Sequence, residues 1–127
     1  MAKTEYKVSI ADTSKELTAK ERIKLKDTSD AVKLDEATVN GAVVITPTAY
    51  AVLDIYNEKS DNKEYKNYII EDKDGTKYVT GSESFWSSFS SIWDEMADAD
   101  ETEWQIKAYR LPSKNYTGKE FLTCSII

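Results

Sequence analysis

Lys107 and Tyr109 alternate with Ile106 and Ala108 near the end of the chain, and Phe121 and Thr123 alternate with Leu122 and Cys124 in its final segment. Successive side chains of a strand point to opposite faces. The two segments therefore read as amphipathic strands with basic and aromatic residues on one side. Rings on an exposed sheet can stack on unpaired bases, at roughly 1–3 kcal/mol per base. Lysines beside them can hold phosphates. Arg22-Ile23-Lys24-Leu25-Lys26 alternates in the same way. With Ile23 and Leu25 inward, Arg22, Lys24 and Lys26 join Lys107, Tyr109, Phe121 and Thr123 on the outer side.

Other chemistry is poorly served. The chain has no His, which removes the commonest general base and metal ligand. It has no phosphate-binding glycine loop, His-containing metal motif or nucleophile elbow, so an enzyme is not expected, and no cofactor is implied. Asp72-Lys73-Asp74-Gly75 resembles the start of a calcium loop but lacks the later ligands and the bidentate Glu, so it reads as a hairpin turn. Asp94, Glu95, Asp98, Asp100 and Glu101 form an acidic run that reads as a solvated helix end. The one cysteine, Cys124, lies in an apolar alternation and reads as a small core residue.

Seventeen Lys and Arg stand against 23 Asp and Glu, giving a net charge of −6. Polyanion binding would need a local basic patch and would fade with salt. At 127 residues the chain suits a single domain, 1–127. Met1 to Glu5 is charged with no apolar run behind it, and no stretch approaches the ~20 apolar residues of a membrane helix. A soluble cytoplasmic protein with no membrane partner is expected.

The elements that would position these residues follow in order. Tyr6 to Ile10 alternates as a short strand, and Arg22 to Lys26 as a basic one. Ala31 to Leu34 adds an extended piece. Gly41 to Tyr56 is rich in β-branched residues, and Pro47 predicts a bend or bulge within it. Tyr68 to Ile70 and Lys77 to Thr80 pair across Asp74-Gly75. Phe85, Phe89, Ile92 and Met96 form one stripe of a helix that begins after capping residues Gly81 to Ser84. Trp86 and Trp93 flank that stripe as packing residues, and Trp104 opens an inward face. This order predicts a mainly β fold: an OB-like five-stranded barrel with one α-helix between the third and fourth strands. In such a closed sheet the first and fourth strands are neighbours, which would merge the basic strand with Lys107 and Tyr109.

Asp74 to Tyr78, the helix Ser84 to Met96, the strand Glu103 to Arg110, the Lys114 to Lys119 loop and the apolar final strand resemble the small single-stranded DNA-binding proteins of phages of Gram-positive bacteria. The resemblance is one of element order over about 100 residues, without a diagnostic motif. It implies an OB barrel that binds single-stranded DNA without sequence preference in phage DNA replication or recombination. The matching positions are Lys24, Lys26, Tyr78, Lys107, Tyr109, Lys114, Tyr116, Lys119 and Phe121, with Arg22 added from the basic strand. Many such proteins end in an acidic tail that recruits partners, whereas this chain ends in an apolar strand. Recruitment of replication proteins would fall to Asp94–Glu103. The negative net charge also admits an alternative, a small acidic phage protein that binds and inhibits a host factor.

Overall fold

The computed structural model describes residues 6–59, 63–113 and 118–127. In these, eight strands and three helices follow in the order β1 (Tyr6–Thr13), α1 (Ala19–Lys26), β2 (Val32–Lys33), α2 (Leu34–Ala37), β3 (Val43–Ile45), β4 (Pro47–Asn57), β5 (Glu64–Asp72), β6 (Lys77–Thr80), α3 (Glu83–Asp98), β7 (Ile106–Pro112) and β8 (Glu120–Ile126). The fold is mainly β, as expected. It is not a five-stranded closed barrel. The strands form two sheets, one in the order β1-β4-β5-β6-β2 and one in the order β3-β7-β8. The long helix falls between the sixth and seventh strands, not between the third and fourth.

Two local signals shape the sheets. Proline cannot donate to a sheet ladder, and the β-branched run divides at Thr46. β3 ends at Ile45 in the small sheet, β4 begins at Pro47 in the large one, and the register with β5 shifts between Pro47 and Ala49. The Thr46 corner is held by the neighbouring hairpin: its amide donates to Asp72 Oδ2 at 3.2 Å, and its carbonyl accepts from Lys73 N at 2.9 Å. In that hairpin Gly75 has φ +92°, a conformation that L side chains rarely adopt. The carboxylates of Asp72 and Asp74 are occupied within the turn, accepting from the amides of Asp74 and Thr76.

The five-stranded sheet separates two apolar clusters. One face, with Leu53, Ile55, Ile69 and Val79, packs against Leu25 of α1. The other, with Ile70, Tyr50 and Tyr78, packs against Phe85 and Phe89 of α3 and against Ile106, Ala108, Leu122 and Cys124 of the small sheet. Phe85 and Phe89 are fully buried, and Ile92 packs against their cluster. Trp86 stacks on Tyr68 with ring centres 4.8 Å apart and planes 7° apart. Trp93 meets Tyr50 and Trp104 edge to face. The flanking tryptophans are thus packing residues, and the serines beside them bond to β8. Ser82 and Ser84 both donate to the Leu122 carbonyl, and the hydroxyls of Ser88 and Thr123 are 3.1 Å apart.

The expected basic strand Arg22 to Lys26 is a helix instead. Five alternating residues do not separate a strand from one and a half helical turns. The deciding signal lies upstream, in a capping box. Thr18 Oγ1 accepts from Glu21 N at 3.2 Å, and Glu21 Oε1 accepts from Thr18 N at 3.1 Å. Leu25 is buried as expected, but Ile23, expected to point inward with it, is 71% exposed. Residues two apart on a helix point about 200° apart, so both cannot face the core.

Candidate nucleic-acid interface

The three-stranded sheet presents an outer face built by register. Val44 lies opposite Lys107, which lies opposite Ser125; Tyr109 opposes Thr123, and Leu111 opposes Phe121. Residues directly opposite in antiparallel strands share a face. The alternate residues Ile45, Ile106, Ala108 and Cys124 are buried in the core. Within the outer set Thr123 is buried, its hydroxyl meeting Ser88 of α3, while three apolar members are open: Val44 at 51% exposure, Leu111 at 40% and Phe121 at 38%.

Tyr109 is the organising residue of this face. Its hydroxyl lies 2.6 Å from Ser125 Oγ, which fixes the ring across the strand pair. The Lys107 ammonium sits 5.3 Å from the ring centre, within cation–π range. Beyond Tyr109 the exposed Leu111 and Phe121 extend the surface toward the β7–β8 hairpin. That hairpin is closed at its base by a 2.8 Å bond from Ser113 N to the Lys119 carbonyl, which leaves Lys119 exposed at its mouth. β7 is anchored from its inner side: Arg110 Nε donates to Thr38 Oγ1 at 3.1 Å, and Thr38 donates to the Leu34 carbonyl at 2.7 Å.

Of the residues singled out in the sequence, this geometry brings together Lys107, Tyr109 and Phe121, with Lys119 nearby. Lys114 and Tyr116 lie outside the described residues. Four residues expected with Tyr109 lie elsewhere. Arg22, Lys24 and Lys26 lie on α1, which packs on the opposite face of the large sheet from the small one. They do not share a surface with Tyr109, because this segment is a helix against the large sheet and not a strand beside β7, whose neighbours are β3 and β8. Tyr78 is half-buried against the α3 core and is not on the outer face; burial raises its phenol pKa, with Asp72 and Asp74 adding to the shift.

Two members of the face were missed. Leu111 continues the alternation of Lys107 and Tyr109, so its place was readable. Val44 joins only through the β3–β7 pairing, which links residues far apart in the chain and leaves no local trace.

A second concavity, a groove of about 730 Å³, lies on the large sheet and includes Lys7, Tyr56, Lys66 and Tyr68. Asp54, Glu64 and Glu83 also line it, and Lys66 pairs with Asp54 at 2.5 Å. With its carboxylates it offers an anion less than the Tyr109 face does. Among the described residues no group of three or more His, Cys, Asp or Glu is placed to hold a metal, and no helix is long and apolar enough to cross a membrane.

The fold and site define a mainly β protein of two sheets with one open aromatic and basic face. Comparison with protein-family models, with curated proteins and with solved structures finds no match.

Proposed function

We propose that the protein binds single-stranded DNA without sequence preference, through the outer face of the three-stranded sheet, and protects it in phage DNA replication or recombination. The observation that carries this reading is the placement of the Lys107 ammonium beside the fixed Tyr109 ring, on a face that continues into exposed Phe121 and Leu111. Rings open to one side suit stacking on bases, and the lysine suits the phosphate between them. Because the rings contribute area rather than base-edge hydrogen bonds, binding is indifferent to sequence. The acidic segment Asp94–Glu103 at the end of α3 would recruit replication proteins in this scheme, from the host cell cytoplasm.

Anisotropy of a labelled oligo-dT, titrated at low salt, tests the proposal. Binding that weakens in Tyr109→Ala supports it; no binding at tens of micromolar, on the order of non-specific affinities, removes it.

One observation favours a second reading, an acidic interaction protein that inhibits a host factor. Asp94, Glu95, Asp98, Asp100 and Glu101 are all exposed, and none forms an ion pair among the described residues. A stable protein partner recovered from nuclease-treated host extract, together with no DNA affinity, would select it.

A further inference from the structure

α1 is a short helix held firmly for little apolar burial. It has eight residues, of which only Leu25 is buried. Its N-terminus carries the Thr18–Glu21 capping box. Its C-terminus is fixed by Lys77, whose ammonium donates to the carbonyls of Lys24 at 2.9 Å and Asp27 at 3.0 Å. What this fixation presents to solvent is basic. Lys20, Arg22, Lys24 and Lys26 stand against one carboxylate, Glu21, which is engaged in the capping box.

The arrangement follows from helical geometry. Ile23 lies about 200° from Leu25 and so crowns the outward side. Lys20 and Lys26 flank it at about 60° to either side, with Arg22 and Lys24 on the shoulders. Lys20 and Lys24 are about one turn apart along the axis, as are Arg22 and Lys26, which gives two short rows of cations. None of the four forms an ion pair with a described carboxylate, whereas Lys15, Lys66, Lys73 and Lys77 each do. Asp12 and Glu16 line a groove with Arg22, and Glu71 lines one with Lys24. Asp12, however, accepts from the Thr13 amide, and Glu71 pairs with Lys15. The carboxylates that follow the helix are also engaged. Asp27 accepts from the Ser29 amide, and Asp30 pairs with Lys77 at 3.7 Å. In a chain of net charge −6 this is a local concentration of unpaired positive charge.

We infer that the outward side of α1 is a second nucleic-acid contact, which holds the phosphate backbone by charge alone, on the opposite face of the large sheet from Tyr109. The inference takes its ligand class from the proposed function but not its site. It has no ring to stack on a base: the exposed apolar residue is Ile23. Its binding is therefore blind to whether bases are paired, and it adds salt dependence without adding preference for single strands.

The test is a titration of labelled oligo-dT and of a labelled duplex with the full chain, between about 50 and about 200 mM salt. Two triple variants of equal net charge are compared: Lys20→Gln/Lys24→Gln/Lys26→Gln, and Lys33→Gln/Lys59→Gln/Lys63→Gln as a control. Thermal melting checks that both are folded. The α1 variant is expected to lose the weak duplex binding and to reduce the log–log salt slope on oligo-dT by about 0.7 for each phosphate contact removed, while the control retains both. Its remaining oligo-dT binding stays sensitive to Tyr109→Ala. Equal behaviour of the two triple variants, or a wild type without duplex binding at low salt, overturns the inference. So does a salt-sensitive oligomer of the wild type that the α1 variant abolishes, which would assign the helix to a second copy of the chain. Failure of the sheet reading looks different: Tyr109→Ala then changes nothing, and the α1 variant still weakens single-stranded and duplex binding alike.

Discussion

The hydroxyl of Ser84 on α3 donates a 2.6 Å hydrogen bond to the carbonyl of Leu122 on β8. β8 has β7 on one side only, and α3 lies along it, with Ser88 meeting Thr123 further on. Edge strands invite pairing with other chains unless something covers them. The serines of this helix, modest helix formers, are in place to bond with that strand.

Ser84→Ala leaves the Leu122 carbonyl with the 3.4 Å contact from Ser82 alone. The expected cost is about 1 kcal/mol, the net worth of a typical protein hydrogen bond. Urea denaturation should show a lower midpoint with an unchanged slope. A midpoint equal to that of the wild type would mean that water replaces the serine without loss.

The stack of Trp86 on Tyr68 joins α3 to the large sheet. Both rings belong to a connected set with Tyr50, Phe89, Trp93 and Trp104. Trp86→Ala is expected to cost roughly 3 kcal/mol, the lower end for a large aromatic because Trp86 is only half-buried. Trp86→Phe keeps an aromatic ring there and should cost less than Trp86→Ala, because the space left behind is smaller. Near-ultraviolet circular dichroism and urea midpoints measure both. Since all three tryptophans pack against this core, their fluorescence reports the fold rather than the Tyr109 face.

What the sequence made legible was local. The α3 stripe, the Asp74-Gly75 hairpin, the break at Pro47 and the inward Ile106, Ala108, Leu122 and Cys124 were all readable, because each rests on periodicity or on one residue's backbone constraint. The division into two sheets was not, because it depends on β3 pairing with β7 across more than sixty positions of chain, for example Val43 with Ala108. The error at Arg22–Lys26 had a readable remedy: Thr18 and Glu21 have capping-box spacing. That error also split the expected site, moving three cations from the Tyr109 face to a separate helix.

Thr18→Ala removes the side-chain half of that capping box. The expected loss is about 1 kcal/mol, typical of a helix N-cap. The other half of the box, the Thr18 amide donating to Glu21 Oε1, makes stability fall in acid. Hydrogen bonds from Thr18 hold the Glu21 carboxyl below its ordinary value of 4.5. A depressed carboxylate contributes stability that is complete above its unfolded value and is lost as pH falls through the folded one. The fall in urea midpoint below about pH 4.5 should therefore be shallower in Glu21→Gln, which does not titrate, than in the wild type.

Tyr109→Ala and Tyr109→Phe separate ring from hydroxyl. Alanine removes the stacking surface and the ring beside Lys107. Phenylalanine keeps the ring but loses the bond to Ser125. One stacked base is worth roughly 1–3 kcal/mol, so Tyr109→Ala should weaken oligo-dT binding by about fivefold to about 150-fold at fixed salt. Tyr109→Phe should stay within a few-fold of the wild type, on the order of a single neutral hydrogen bond. Phe121→Ala should follow the alanine result. Equal losses from Tyr109→Ala and Tyr109→Phe would place the hydroxyl, not the ring, at the centre of binding.

Cys124 is 5% exposed on the inner side of β8, opposite Ala108. Burial pushes its thiol from an ordinary 9.0 up to about 12. A raised pKa contributes stability that is complete below the unfolded value and is lost as pH rises toward the folded one. Between pH 9 and 12 the unfolded chain therefore ionises at this position while the folded one does not. The resulting slope is at most about 1.4 kcal/mol per pH unit. Tyr50, Tyr68 and Tyr78, whose phenols burial also raises above 10.0, add to the loss at higher pH. Cys124→Ala should cost about 1 kcal/mol near neutrality by leaving a small cavity. It should also flatten the decline of the urea midpoint between about pH 9 and about pH 10, where the thiol titrates ahead of the phenols. An identical decline in the two proteins would show that the thiol is not shielded as its burial implies.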